Sequence, residues 1–322
     1  MPEPTVLVTF DVTEPHLQYC LDSLAGQRNG DRHGVEEATA STPSEIEVVL
    51  VPVRNGTGGG GENTESHRNT DRDEDGDDDR ADTEGLETEQ EENEQGDESV
   101  ASGREEGLAT ATAFAAEPPA GLRVTLLEGE PATDRPSART RGVDASTGTH
   151  LLFLEGRDAL TTYAIAHLLH IAEETGSDLV AANVHRFNEL GASPSKAHKK
   201  YCAKQRLALD PRTLPALVAD PFLGNKLWRR DFWESLPERD LAPEDADLGL
   251  RRAVLSARSV DVLPGPVLLA REHESAEVPL EKDALTRRIT AMRELSVDLD
   301  TDDRELWDRL LLQGELHRLL LR

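Results

Sequence analysis

Several groups of side chains in this 322-residue chain could carry chemistry. Glu244 and Asp245 follow Pro243 and precede a helical stripe of Leu250, Ala253, Val254 and Ala257. By spacing alone, such acids cap a helix, because its amino end favours negative charge. Glu155-Gly156-Arg157-Asp158 closes the apolar run Leu151–Leu154. Glu155 is able to ligate a hard cation, whereas the fixed charge of Arg157 repels one. His167 and His170 stand three apart on a helical stripe, but no third metal ligand accompanies them, so they read as surface or core-rim residues. Gly58–Gly61 lack a following Lys-Ser or Lys-Thr and form no phosphate-binding loop. Asn55-Gly56-Thr57 is a glycosylation sequon only in an exported chain. Cys20 lies on an apolar stripe and is a core residue. With Cys202 it makes no disulfide framework, and neither cysteine has a metal-ligand companion.

The composition limits what these groups can serve. Acids number 63 against 35 bases, a formal net charge of -28. Between Glu62 and Glu106 alone there are 20 acids and 4 arginines, a net of -16. The remainder is less extreme and holds enough Leu, Val and Ile for a packed core. The sequence therefore predicts a folded protein interrupted by a disordered acidic insert. Its negative surface repels phosphate backbones, which argues against nucleic-acid binding. No run reaches the roughly 18 apolar residues needed to span a bilayer, and Met1-Pro2-Glu3-Pro4 lacks the basic region of a signal peptide. Abundant acids, arginine in preference to lysine, and sparse bulky apolar groups suit a high-salt cytoplasm, where salt screens carboxylate repulsion.

The elements that must position the chemistry follow from periodicity. Thr5–Phe10 and Ile46–Val53 are buried strands. Between them Leu17, Cys20, Leu21 and Leu24 mark an amphipathic helix, with Thr13 as N-cap and Pro15 in the first turn. Strand, helix and strand in this order imply a right-handed βαβ unit and a parallel sheet. A loop is expected from Gly26 to Ser44. Further strands are expected at Leu122–Leu127, Leu151–Leu154, Leu179–Phe187, Val260–Leu263 and Val267–Ala270. A helix carrying Ile165, Leu168, Leu169 and Ala172 should end at Gly176. Asp220–Trp233 reads as a packed loop leading into a helix. Two helices close the chain, one with Leu285, Ile289 and Met292, the other with Leu306 and Leu310. The boundaries are 1–55 for the first βαβ part, 56–119 for the acidic insert, 120–275 for the rest of the domain, and 276–322 for a C-terminal helical extension.

These blocks, in this order, resemble glycosyltransferase family 2, the nucleotide-sugar transferases of GT-A fold. Val6–Thr9 with Glu14–Leu17 and Cys20–Leu24 resembles the family's first strand and helix, and Ile46–Val51 its second strand. Ser137–Gly142 resembles the Ala-Arg-Asn-x-Gly helix. Leu152–Glu155 resembles the strand that ends in the metal motif, and Ser177–Val180 with Arg186-Phe187, like Asn225–Trp228, is similar to further family blocks. The resemblance implies an α/β fold with a mostly parallel central sheet flanked by helices. It implies an inverting transferase that takes a nucleotide-sugar donor and a saccharide or lipid-linked acceptor in cell-envelope glycan or glycoprotein assembly. A catalytically inactive binding or assembly subunit of the same fold is the competing reading.

The same resemblance assigns roles. Asp245, beside Glu244, would take the acceptor proton. Thr9, Asp11, Asn55, Arg139 and Arg157 would contact the nucleotide and its diphosphate. Glu155 and Asp158 would hold Mg²⁺ or Mn²⁺, yet Arg157 replaces the second carboxylate of Asp-x-Asp. Arg157 either forks onto the diphosphate in place of the metal or pairs with Glu155 or Asp158 in a site that no longer turns over. Arg54-Asn55-Gly56-Thr57 falls where Asp-Asp-Gly-Ser is usual, so the base-recognising carboxylate is absent while Asn55 keeps its hydrogen-bonding capacity. A cytoplasmic protein is expected, with peripheral association at the inner membrane face and homo-oligomerisation through the C-terminal helices both left open.

Overall fold

The computed structural model describes residues 3–27, 45–54, 106–237, 246–272 and 282–311. The strands are β1 (Pro4–Asp11), β2 (Ile46–Val53), β3 (Leu122–Leu126), β4 (His150–Glu155), β5 (Ala159–Leu160), β6 (Leu179–Asn188), β7 (Gly191–Pro194), β8 (Arg206–Leu209), β9 (Lys226–Arg229) and β10 (Val260–Arg271). They form one sheet in the order β3-β2-β1-β4-β9-β6-β10-β5, with β7 on β6 and β8 on β10. The long pairings β2–β3, β1–β2, β1–β4 and β6–β10 are parallel. Short β9 enters antiparallel between β4 and β6.

The helices are α1 (Leu17–Ala25), α2 (Glu106–Ala116), α3 (Arg135–Asp144), α4 (Ala164–Thr175), α5 (Lys196–Tyr201), α6 (Pro215–Val218), α7 (Arg230–Ser235), α8 (Ala246–Ser256), α9 (Lys282–Glu294) and α10 (Thr301–Leu310). The continuous apolar runs of β1 and β2 are buried along their length, as covered parallel strands must be. Alternation sends Val6, Val8, Val48 and Leu50 to one face, with Leu17, Leu21 and Leu168. Leu7, Val49 and Val51 pack on the other, with Trp228, Val254 and Trp307. Gly176 ends α4 in the left-handed region at φ 64°, as its position in the sequence predicts.

Four expectations change. Thr13 caps no helix: its N–H and hydroxyl both donate to Asp11 Oδ1, at 2.9 and 2.7 Å. That turn delays α1 to Leu17, so Pro15 precedes the helix. Residues 106–116, assigned to the acidic insert, form α2. Gly107 lets the helix approach the end of β1, since a Cβ there would stand 2.7 Å from the Asp11 carbonyl. Lys226–Arg229 is a strand rather than part of a loop. Finally, Val260–Leu263 and Val267–Ala270 are halves of one strand, whose register shifts around Pro266 absorb a residue unable to donate to the ladder. The calls on Gly26–Ser44, the body of the acidic insert and the last turns of the chain fall largely outside the described residues.

Candidate functional site

The carboxyl ends of the parallel strands are where an open α/β sheet leaves room for a ligand. Here they border a cleft of about 760 Å³ lined by Thr9, Arg139, Glu155, Arg157 and Asp158, and by Arg186, Phe222 and Arg271. Thr9 and Glu155 are register partners on β1 and β4. The chain then turns sharply: Gly156 N–H donates to the Thr9 carbonyl, and Asp158 N–H to that of Glu155, both at 2.9 Å. Gly156 is required, because a Cβ would stand 2.6 Å from Phe10 Cβ. The turn delivers Arg157 and Asp158 into the cleft.

The charges there are unevenly matched. Glu155 Oε2 lies 2.8 Å from an Arg157 guanidinium nitrogen and 3.6 Å from one of Arg135. The same oxygen has no contact of hydrogen-bond geometry, so these pairings are electrostatic rather than directional. Asp158 Oδ1 accepts the backbone N–H of Arg271 at 2.9 Å. Burial, reinforced by the neighbouring Glu155 charge, pushes the Asp158 carboxyl up to about 7. Arg139 projects from α3, whose start is fixed by Asp134 Oδ1 accepting Ser137 N–H at 2.8 Å. Burial lowers the Arg139 guanidinium from its ordinary value, although Glu155 works the other way. None of the described acids forms a salt bridge with Arg139.

This donor set does not fit a divalent cation. Three described carboxylates line the cleft, Glu155 paired with Arg157, Asp158 bonded to the Arg271 N–H and Glu272 bonded to Asn188, among four arginines that repel a metal. The described residues contain no cluster of three potential metal-binding side chains. His167 and His170 acquire no further ligand, and His170 instead faces Glu174 at 3.4 Å.

Solved structures share this architecture. The chain superposes on S. aureus TarS 1–349 in complex with UDP-GlcNAc at a TM-score of 0.57 and 17% identity, covering 97% of this chain and 71% of that one. For S. aureus TarS 1–349 alone the values are 0.59, 15%, 98% and 73%. For its complex with UDP they are 0.57, 16%, 97% and 70%. No protein-family profile and no curated protein matches the chain. These structural neighbours are glycosyltransferases of the GT-A fold.

The chain has the GT-A fold. On that GT-A frame, five residues named from sequence, Thr9, Arg139, Glu155, Arg157 and Asp158, come together in the cleft. Asp11 does not line it; its Oδ1 is held in the turn to Thr13. Asn55, Glu244 and Asp245 lie outside the described residues.

Sequence reasoning missed the opposite wall of the cleft. Arg186 and Arg271 stand at the ends of β6 and β10, and Phe222 lies in the Pro221–Gly224 loop. Behind that loop Asp220 is fully buried and accepts from Lys226 Nζ and Tyr201 hydroxyl at 2.7 Å, Asn225 Nδ2 at 3.0 Å, and Phe222 N–H at 3.1 Å. His198 Nε2 stands 3.2 Å from Asp220 Oδ1, without hydrogen-bond geometry. Burial alone would raise the Asp220 carboxyl. The Lys226 ammonium and His198 outweigh it and hold the group well below the usual carboxylate range. The available signal was an acid and a lysine six apart around an aromatic, Asp220…Phe222…Lys226, inside an otherwise apolar segment.

Proposed function

We propose that the protein is a glycosyltransferase that takes its sugar from a nucleoside-diphosphate donor, related to family 2, with arginines in the place of a metal ion. The observation that carries this reading is Arg139, a desolvated guanidinium facing the cleft of a GT-A fold without a salt bridge to any described acid. Such a group is poised for a diphosphate, which would supply the charge-assisted hydrogen bonds that it lacks. Arg157, oriented by Glu155, would fork onto the same diphosphate. UDP and UDP-GlcNAc, present in the TarS complexes, are the first donors to try.

The reaction asks little covalent chemistry of the protein. An acceptor hydroxyl attacks the anomeric carbon, the carbon–oxygen bond to the diphosphate breaks, and the diphosphate leaves with the electron pair. The acceptor proton passes to Asp245, which directly precedes α8 in the chain. Arg139 and Arg157 would stabilise the charge that develops on the leaving group, an electrostatic role usually worth several kcal/mol. Lacking a carboxylate at Arg54-Asn55, the nucleotide base would be read by hydrogen bonds to Asn55. The setting we propose is cytoplasmic, at the assembly of envelope glycans or glycoproteins. Among the described residues no helix is long and apolar enough to cross a membrane.

The Glu155–Arg157 pairing favours a second reading, a GT-A subunit that binds without turnover. Thermal unfolding in concentrated KCl separates donor binding from its absence. A nucleoside diphosphate at 100 times its Kd should stabilise the fold by about 2.7 kcal/mol, and chelator should leave the shift unchanged. Strict Mn²⁺ dependence would overturn the arginine assignment. Donor hydrolysis or transfer that drops in Asp245→Asn supports the enzyme; nucleotide binding with no turnover in either protein supports the second reading.

A further inference from the structure

In a chain with nearly twice as many acids as bases, an arginine without a carboxylate partner is unexpected. Two such arginines sit on the cleft wall opposite Arg139. The Arg186 guanidinium lies 5.7 Å from the centre of the Phe222 ring. That of Arg271 lies 4.5 Å from the Phe187 ring and 5.7 Å from the Tyr19 ring. No described acid makes a salt bridge with either. Of the described acids lining this part of the cleft, Glu272 Oε2 accepts from Asn188 Nδ2 at 2.8 Å, and Asp158 Oδ1 takes the Arg271 main-chain N–H rather than its guanidinium. An aromatic face orients a guanidinium without neutralising it and leaves N–H donors at its edge for a ligand. The Phe222 platform is itself fixed, its N–H bonded to Asp220 and its carbonyl to Lys226 Nζ.

We propose that this wall is an acceptor subsite, and that the acceptor saccharide carries an oxyanion, a carboxylate or a phosphate, bound by Arg186 with Arg271. The proposal rests on the transferase reading above. The two arginine groups are rooted on different strands, Arg186 on β6 and the turn to Arg157 on β4, with β9 between those strands. With Arg139 and Arg157 assigned to the diphosphate, Arg186 is assigned to the acceptor. Arg271 stands between them, its Nε donating to the Arg157 carbonyl at 3.4 Å. A guanidinium accepts carboxylate or phosphate through paired hydrogen bonds, so a uronate and a phosphosugar are the two candidate sources.

Calorimetric titration of the full chain, at fixed KCl and saturated with UDP, tests this. The probes are digalacturonate, glucose 6-phosphate and a neutral disaccharide. At least one anionic probe should bind tenfold or more tightly than the neutral one, and which of the two does so identifies the source. Arg186→Gln should remove that preference while changing the Kd for UDP less than twofold, and Arg186→Lys should restore part of it. Equal binding of all three probes by a protein that binds UDP would overturn the subsite while leaving the transferase reading intact. So would a parallel loss of UDP affinity in Arg186→Gln, or a preference for UDP-glucuronate over UDP-glucose that disappears in that variant, since either would move Arg186 to the donor side. A protein that binds no nucleotide diphosphate at all would instead remove the transferase reading, and the subsite with it.

Discussion

The two ends of the central sheet keep buried carboxylates under opposite conditions. At the amino end Glu47 accepts from the Thr5 hydroxyl at 2.5 Å, the Thr147 and Gly148 amides at 2.8 and 3.1 Å, and the Arg123 guanidinium at 2.7 Å. Burial opposes its charge, but these donors outweigh burial and hold the carboxyl below its ordinary value. At the carboxyl end Asp158 is similarly buried and accepts a hydrogen bond from a single backbone N–H. There burial wins, and the carboxyl rises to about 7. The several donors around Glu47 and the heavier desolvation of Asp158 together set the two acids apart. A cleft meant for an anion gains from this arrangement, because an acid that keeps its proton does not cancel the arginines beside it.

Asp220 should give the largest effect, since its partner Lys226 is a fully buried ammonium. Asp220→Ala strands the Lys226 ammonium in the core, and losing one partner of a buried pair costs about 3–5 kcal/mol. Urea unfolding in concentrated KCl should show this as a large drop in midpoint. A loss below about 1 kcal/mol would mean that the donors around Asp220 do not anchor the wall.

Asp158 should move in the other direction. In an unfolded chain its carboxyl ionises near 3.9, whereas the fold retains the proton to about 7. The fold therefore benefits from that proton at low pH and loses the benefit as pH rises from about 4 to 7, by up to about 4 kcal/mol. Asp158→Asn keeps the acceptor oxygen for Arg271 and never ionises. Its stability relative to wild type should thus increase across that window and level off above it. A pH-independent difference would show that Asp158 is ionised throughout, closing the gap between the two ends of the sheet.

Glu47→Gln tests the satisfied end at smaller scale. Weakening an ionised, multiply bonded carboxylate should cost about 1–3 kcal/mol at pH 7. A depressed carboxyl stabilises above its unfolded value, near 4.3, and loses that contribution as pH falls through its folded value. The variant should therefore converge on wild type in acid, as Asp158→Asn does, but fall below wild type rather than rise above it as pH increases. A Glu47→Gln protein more stable than wild type at pH 7 would reverse the assignment.

Residues with one dominant environment were legible in the sequence. Val48, Leu50 and the rest of β2 announce a covered strand, and Ile165, Leu168 and Leu169 ending at Gly176 announce α4. What stayed hidden depended on partners distant in the chain. The acidic average around α2 conceals Ala111, which is buried, and Gly107, which abuts the end of β1. Lys226 looks like a surface residue until Asp220 and Asn225 surround it. Glu155 and Arg157 were readable as a pair of alternatives, and the fold brings the two side chains to 2.8 Å of each other. Arg186 belonged to a familiar block, with Phe187, that carried no assigned role, and Arg271 carried no motif. Their meaning depends on which rings lie beneath them and which acids do not approach, and spacing along one chain encodes neither.

The smallest expected effect compares one arginine from each end. Arg123 at the amino end is engaged by Glu47 and Glu45, whereas Arg139 at the carboxyl end is desolvated and has no salt bridge to a described acid. If unsatisfied charge marks the ligand site, Arg139→Gln should weaken UDP binding by about tenfold, roughly 1.4 kcal/mol. Its melting temperature should hold steady or rise, because the variant removes a desolvated cation that has no salt bridge to a described acid. Arg123→Gln should leave the UDP affinity unchanged and lower the melting temperature, since it removes the guanidinium from buried Glu47, which keeps its other donors. Calorimetric titration and thermal unfolding of both variants complete a two-by-two comparison. Equal UDP affinities would detach Arg139 from the donor, and the empty positive charge in the cleft would then need an explanation other than a diphosphate.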